Sequence, residues 1–146
     1  MFFNLFQKNT LNNKIGYEDV LHAIENTTKN ILINTLDQNL QHCLIKTTLS
    51  VENETSVLNQ MIENNKFNQI NILVYGLNSV DNSVEKKYKQ LIDLGFPNVY
   101  IYNGGMFEWL LLQDIYSKDN FPTTSYDLDI LKYKPRGVLN IPLIGS

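Results

Sequence analysis

The stretch that decides the fold runs from residue 70 to residue 109 and reads INILVYGLNSVDNSVEKKYKQLIDLGFPNVYIYNGGMFEW. Its first six residues, 70–75, are apolar enough for a strand that is buried on both faces of a sheet. A polar turn follows at 76–82. Apolar residues then recur at the spacing of an amphipathic helix, namely Val84, Tyr88, Leu91 and Ile92. The stretch therefore predicts a strand, a turn and a helix in that order.

The boundaries of this helix and the elements after it are also marked in the sequence. Asn82 and Glu85 have the spacing of an N-terminal capping pair, and Gly95 is a natural C-terminal stop. A further strand is predicted at 98–102, and two glycines open a helix at 104–116. The second half of the chain thus alternates strands with helices.

Toward the N-terminus the same alternation continues. Helical spacing predicts helices at 17–26 and 53–65, and runs rich in branched residues predict strands at 31–36 and 43–50. Strands that are separated by helices require crossover connections and form a mainly parallel sheet. We therefore predict an α/β fold with three layers, α/β/α, in which helices cover both faces of a mainly parallel central sheet.

Composition limits the number of domains and the class of partner. A chain of 146 residues suits one domain with a core of its own. We place that domain at 14–117, between an N-terminal arm at 1–13 and a C-terminal extension at 118–146. The net charge of −3 and the scattered lysines give no basic patch, so nucleic acid is not an expected partner.

The cysteine count and the hydropathy bear on the compartment. Cys43 is the only cysteine, so neither an intramolecular disulfide nor a cysteine-based zinc cluster can form. The start of the chain lacks the basic region of a signal peptide, and no stretch approaches the roughly 20 apolar residues of a membrane span. We predict a soluble, intracellular (cytoplasmic) protein that does not bind membranes. No acidic pair at a strand end suggests a metal, and we expect neither a metal nor a cofactor.

Three short motifs in the second half carry a family resemblance. Leu94-Gly95-Phe96, Gly104-Gly105 and Trp109 stand in the order and at the spacing found in rhodanese domains, and the chain resembles that family from residue 14 to residue 116. In the first half, Asn34-Thr35-Leu36 stands where the family has an acidic strand end, and HCLIKTTLS (42–50) stands in place of its HIPGA segment. The extension, with FPTT and LDILKYKP, resembles a rhodanese-like group of large DNA viruses.

The resemblance implies a specific reading of the turn after the strand at 70–75. Catalytic rhodaneses carry a persulfide on the cysteine that follows this strand, and the loop amides stabilise its anion. Here that position is Gly76, which has no side chain to carry sulfur. The family loop also commonly supplies an arginine, whereas this loop has Asp81 as its one charge, and a carboxylate repels anions. We therefore predict a remnant active loop without a catalytic residue, formed by Gly76, Leu77, Asn78, Ser79, Val80, Asp81 and Asn82.

Other residues offer alternative chemistry. Ser79 could act as a nucleophile with a base such as His22 or His42, although a capping or solvated serine is the simpler interpretation. Cys43 is either a half-buried structural thiol or a sulfur carrier. Gly104 and Gly105 either cradle a phosphate or allow a tight turn into the helix, and we expect Trp109 to be core.

Two classes of function follow. The first is a catalytically inactive binding or scaffolding module that engages a protein partner through the loop 76–82 or the C-terminal extension. The alternative is a sulfurtransferase or phosphatase-like enzyme that acts on a small anion by a non-standard route. The apolar residues of the last ten positions, Val138, Leu139, Ile141, Leu143 and Ile144, should either pack on the domain or dock on another chain.

Overall fold

The computed structural model describes residues 13–139. Its strands are β1 (Lys14–Ile15), β2 (Asn30–Asn34), β3 (Asn71–Tyr75) and β4 (Val99–Tyr102), and its helices are α1 (Tyr17–Glu25), α2 (Val51–Glu63), α3 (Ser83–Asp93) and α4 (Gly105–Ile115). Two short 3-10 helices lie at Gln38–Leu40 and Ile130–Tyr133. The helices and strands predicted from 70–109 are confirmed to within two residues at each end.

The strands form one sheet in the order β1-β4-β3-β2, and every pair in it is parallel. The core of α1 and α4 lies against one face and the core of α2 and α3 against the other. The predicted three-layer α/β/α architecture is therefore confirmed. β1 was not predicted, because a strand of two residues, Lys14 and Ile15, is too short to produce a recognisable pattern in the sequence.

Trp109 is the centre of the larger core, on the α1 and α4 side of the sheet. Its side chain is fully buried, and its indole packs edge-to-face with Tyr102 and with Phe121. The core on the opposite face is built from branched residues of β2, β3 and β4 with Leu58 of α2 and Leu91 of α3. The side chains of β3 thus enter both cores, as its unbroken apolar run predicts.

Gly95 ends α3 in the predicted way. It has φ +107°, a conformation that disfavours residues with a Cβ. Its N–H donates to the carbonyl of Ile92, and the N–H of Phe96 donates to that of Leu91, which is the hydrogen-bond pattern of a Schellman motif. Phe96 is then buried against the α3 side of the sheet.

The predicted strand at 43–50 is wrong. This segment makes only isolated bridges, between Leu32 and Thr48 and between Ile45 and Thr123. The N–H of Ile45 donates to the hydroxyl of Tyr75 instead of to a strand neighbour, and Thr47 has φ +70°, which breaks an extended run. Cys43, Leu44 and Ile45 are buried because they pack in the larger core, while Thr48 lies beside β2, the edge strand of the sheet.

After α4 the chain passes back over the larger core, on the α1 and α4 side of the sheet. Phe121 and Tyr133 are buried in it, although both lie beyond the boundary predicted at residue 117. Val138 and Leu139 are exposed at the end of the described chain. The predictions for Ile141, Leu143 and Ile144, and for most of the N-terminal arm, lie outside the described residues.

Candidate functional site

The predicted loop, Gly76 to Asn82, joins β3 to α3 at the carboxyl-terminal edge of the sheet. β3 leads into a helix on one face, and its neighbour β4 leads into a helix on the other face. Such a reversal opens a crevice between the two strand ends, and open α/β sheets bind ligands there. The structure has a small open cavity of about 110 Å³ at this point, lined by residues 78–82 with Lys14, Glu85 and Asn103.

Gly76 has no room for a side chain. A Cβ placed on this residue would lie within 2.7 Å of the Asp81 carboxylate, the Val84 methyl group and the Thr35 hydroxyl. Distances this short do not occur between real Cβ atoms and their neighbours, so any larger residue requires these three side chains to shift. The loop is therefore built around a glycine at this position.

Asp81 points into the loop. One carboxylate oxygen, Oδ2, accepts the N–H of Leu77 (2.8 Å), and the other, Oδ1, accepts the N–H of Ser83 (3.0 Å) and the Ser83 hydroxyl (2.6 Å). The predicted capping pair of Asn82 and Glu85 is wrong, because Asp81 supplies the cap while Asn82 already has helical dihedral angles. Amides of the loop and of the helix start are thus occupied by a carboxylate of the same chain.

The carbonyls of the loop are bound from the other side by α4. The N–H of Met106 donates to the Gly76 carbonyl and that of Phe107 to the Leu77 carbonyl, both at 2.9 Å. Gly105 allows this approach, since it has φ +65° and a Cβ on it would meet the backbone at Gly76 and Asn78. Two amides at the start of α4, those of Met106 and Phe107, are therefore committed to the loop, which favours the tight-turn interpretation of Gly104-Gly105.

Asn78 and Val80 differ sharply in exposure. Asn78 is buried; its Oδ1 accepts the N–H of Val80 (3.0 Å), and its Nδ2 donates to the carbonyl of Tyr133 (2.9 Å). Val80 is 62% exposed at the rim of the crevice. Asn78 therefore holds the loop in shape, while Val80 is presented to solvent.

Ser79 has none of the partners that a nucleophile needs. Within residues 13–139 no hydrogen bond joins it to a histidine: His22 contacts Asn26, and His42 contacts Asp127. The geometry gives no support to the catalytic interpretation of this serine. Its hydroxyl lines the crevice as a polar surface group.

Sequence reasoning missed Thr35 and Ser83. In the register of β2 and β3, Asn34 pairs with Tyr75, so Thr35 lies opposite Gly76. Its Oγ1 is 2.7 Å from the Ser83 hydroxyl, which in turn binds Asp81. The ends of adjacent parallel strands meet at one edge of a sheet, so Thr35 could have been placed beside the loop from the sequence. That placement required knowing that β2 and β3 are neighbours.

Cys43 is fully buried, more deeply than the predicted half-buried thiol. Its Sγ donates to the carbonyl of Ser125 at 3.3 Å, and burial raises the pKa of the thiol. A buried, protonated thiol is a poor nucleophile, since sulfur chemistry proceeds through the thiolate. These observations favour a structural role.

Two tyrosines near the loop are also buried. Tyr102 lines the crevice, and its hydroxyl donates to Glu108 at 2.6 Å; burial, followed by this hydrogen bond, raises the pKa of its phenol. Burial likewise raises the pKa of Tyr75, whose oxygen accepts the N–H of Ile45. Both phenols stay protonated at neutral pH and serve to pack and orient their surroundings.

Between residues 13 and 139, no cluster of three or more His, Cys, Asp or Glu side chains is arranged to hold a metal ion. Over the same residues no helix combines the length and apolar character that crossing a membrane requires.

Comparison with known proteins identifies the fold. No protein-family model matches the chain, and no curated protein matches it. Among solved structures, a protein from Bacillus halodurans is similar with a TM-score of 0.58 and 17% identity, over 90% of this chain and 96% of that one. The rhodanese-like domain of a protein from Anabaena is similar with a TM-score of 0.53 and 17% identity, over 92% of each chain.

A thiosulfate sulfurtransferase from Pseudomonas aeruginosa is similar as well. Its TM-score is 0.53 at 17% identity, and the match covers 75% of this chain but 21% of the longer enzyme. Identities this low establish the fold alone. The chain has a rhodanese-like fold, in agreement with the resemblance drawn from its motifs.

Proposed function

We propose that this chain is a rhodanese-like domain that does not transfer sulfur and works as a binding or scaffolding module, with the loop 76–82 as its contact surface. The observation that carries the proposal is the closed space around Gly76. In catalytic members of the family this position bears the reacting cysteine, and here three side chains already occupy the volume that a Cβ would need.

The charges around the loop support the same proposal. Asp81 is tethered to the loop, and its carboxylate already accepts the amides that a bound anion would use. An anionic substrate would have to displace this carboxylate and would be repelled by it. Lys14 is a cation on the crevice wall, but Asp81 and Glu85 line the same crevice and outnumber it.

The crevice suits a protein contact better than a metabolite. Its volume of about 110 Å³ is well below the roughly 300–1,000 Å³ of small-molecule sites. Around it, within the described chain, the side chains of Ser79, Asn82 and Asn103 make no hydrogen bond, so they can bond to a partner. Exposed Val80 adds an apolar contact at the rim.

We expect the wild-type protein to show no sulfur transfer from thiosulfate to cyanide above background. Gly76→Cys should also be inactive, because the new side chain collides with Asp81, Val84 and Thr35 and the loop still lacks a cation. The collision should lower the free energy of unfolding by about 1–3 kcal/mol. A thiocyanate assay and urea denaturation measure the two effects.

An active rhodanese run in parallel is the control for the assay. Turnover by the wild-type protein, or a persulfide on Cys43 after incubation with thiosulfate, would overturn the proposal. Efficient turnover by Gly76→Cys would leave the proposal for the wild-type chain intact, but it would refute the argument from loop charge and space.

Binding through the loop has its own expected result. Val80→Asp should abolish capture of a partner from an extract of the source cells, because it replaces the exposed apolar side chain at the crevice rim with a charge. Ile115→Asp is the matched control, since Ile115 is 69% exposed on α4 and does not line the crevice. Equal capture by both variants would show that the contact surface lies elsewhere.

A further inference from the structure

Part of the C-terminal extension packs on the larger core and is hydrogen-bonded to residues 44–46. We call residues 121–133 the strap. The Pro122 carbonyl accepts the N–H of Lys46 (3.1 Å), the N–H of Thr124 donates to the Leu44 carbonyl (2.8 Å), and the Thr124 hydroxyl accepts the N–H of Leu44 (3.0 Å). Cys43 lies beneath the strap and is fully covered by it and the surrounding core.

Asp127 is the hub of the strap. Its carboxylate accepts hydrogen bonds from the Lys132 ammonium, the Tyr133 hydroxyl (3.1 Å), His42 Nε2 (3.1 Å) and the N–H of Asp129 (3.0 Å). Partial burial raises the pKa of this carboxyl, but the hydrogen bonds together lower it to about 2. The hub therefore carries a negative charge at neutral pH, and it joins the strap to the 42–46 segment.

From this hub a continuous path leads to the loop. Tyr133 is fully buried, and while its hydroxyl donates to Asp127, its carbonyl accepts the side-chain amide of Asn78 (2.9 Å). The Asn78 oxygen in turn accepts the N–H of Val80 (3.0 Å). Each group in this path is hydrogen-bonded to the next, and Val80 at its end is an exposed apolar residue at the crevice rim.

We infer that the strap is a latch that sets the conformation of the loop 76–82, and that Asp127 is the positioning residue that keeps the latch closed. If the Asp127 carboxylate no longer accepts the Tyr133 hydroxyl, Tyr133 loses the hydrogen bond that fixes its ring. Its carbonyl then moves away from Asn78, and a buried amide without an acceptor is costly, so Asn78 must turn toward water. The loop would then lose the support that Asn78 gives to Val80 and open locally, while the sheet stays folded.

The inference names a control over the contact surface and so rests on the proposed function for its biological meaning. The coupling itself does not depend on a partner or on catalysis. A chain of contacts is not sufficient evidence of coupling, which has to be measured as an effect of one site on the other. The experiment therefore reads the strap and the loop separately.

The test uses the full chain and three variants. Asp127→Asn removes the charge of the hub, Tyr133→Phe removes one hydrogen bond and keeps the ring, and Asp129→Asn is the control, because within the described residues the Asp129 side chain makes no hydrogen bond. Alkylation of Cys43 reports strap opening. Hydrogen exchange of the Leu77 and Val80 amides, with the NMR signals of the Asn78 side-chain amide, reports the loop.

We expect Asp127→Asn to raise both Cys43 alkylation and loop exchange roughly tenfold, which is the scale of one lost hydrogen bond to a charged group. The Asn78 side-chain signals should shift, and the amides of β3 and β4 should keep their protection. Tyr133→Phe should shift the Asn78 signals in the same direction with a smaller gain in exchange, and Asp129→Asn should match the wild type.

Faster Cys43 alkylation with an unchanged loop would overturn the inference, since strap and loop would then be independent. Unchanged rates at both places would overturn it too, because Asp127 would not hold the latch. If Asp127→Asn unfolds the whole protein, Tyr133→Phe decides, and an unshifted Asn78 amide in that variant refutes the coupling. None of these results bears on sulfur transfer, so the two proposals fail separately.

Discussion

Trp109→Ala should lower the free energy of unfolding by about 3–5 kcal/mol, as large aromatic truncations in cores do. The indole is fully buried, with ring centroids 5.2 Å from Phe121 and 6.2 Å from Tyr102 in edge-to-face geometry. Its Nε1 also donates to the Pro122 carbonyl at 3.2 Å. Urea denaturation followed by circular dichroism measures the loss, because the variant has no tryptophan signal.

The matched variant is Trp109→Phe, which keeps an aromatic ring and loses the hydrogen bond and part of the volume. It should cost clearly less than the alanine variant. A loss of under about 1 kcal/mol for Trp109→Ala would contradict the placement of α4 against the sheet. Because Phe121 and Pro122 begin the strap, the alanine variant should also increase the alkylation of Cys43.

Much of this fold could be predicted because its elements have strong local signals. The unbroken apolar run of β3 predicts a strand that is buried on both faces, and the helical spacing in α3 and the glycine after it predict that helix and its end. The burial of Trp109 followed from the same periodicity. These features depend on residues within one or two turns of each other.

The segment 43–50 could not be predicted from local pattern. Its apolar residues are buried, but their backbone partners are the Tyr75 hydroxyl and the Thr124 side chain, which lie 30 and 80 residues away in sequence. A strand and an irregular covering segment have similar composition when both are buried. Nothing near residue 47 indicates the positive φ that breaks the run.

The position of the loop 76–82 between a strand and a helix could be predicted, but the contacts that shape the loop could not. Residues 76–82 were located by the order of strand, turn and helix, and Gly76 and Asp81 were singled out by their chemistry. The inward orientation of Asp81 and the burial of Asn78 depend on Ser83 and on Tyr133, which tertiary structure brings to the loop. The boundary at 117 and the placement in a viral group remain predictions.

The loop 76–82 has three supports that follow from this chain's own contacts, since identities of 16–17% to the similar structures show the fold alone. Here the loop is filled by its own carboxylate, bound by α4 and tied to the strap. Under the proposed binding function, a loop that these three supports hold in one conformation would lose less entropy when a partner binds.

The junction between α4 and the loop gives the other large expected effect. Gly105→Ala should lower the free energy of unfolding by about 2–4 kcal/mol, from a residue with a Cβ at positive φ and from overlap with backbone atoms. Gly105 has φ +65°, and its Cβ would lie 2.8 Å from the Gly76 carbonyl oxygen and 2.9 Å from the Asn78 nitrogen. Backbone atoms cannot turn aside as a side chain can, so the loop itself must move.

Gly16→Ala is the control for this prediction. Gly16 has φ −101°, and a Cβ on it would meet nothing within 4 Å, so the change should stay within about 1 kcal/mol. Urea denaturation of both variants gives the stabilities, and exchange of the Leu77 and Val80 amides shows whether the loop has moved. Equal stabilities and unchanged loop exchange would mean that the start of α4 does not determine the conformation of the loop. A loss confined to Gly105→Ala, with faster loop exchange, would establish that the start of α4 determines the conformation of the loop 76–82.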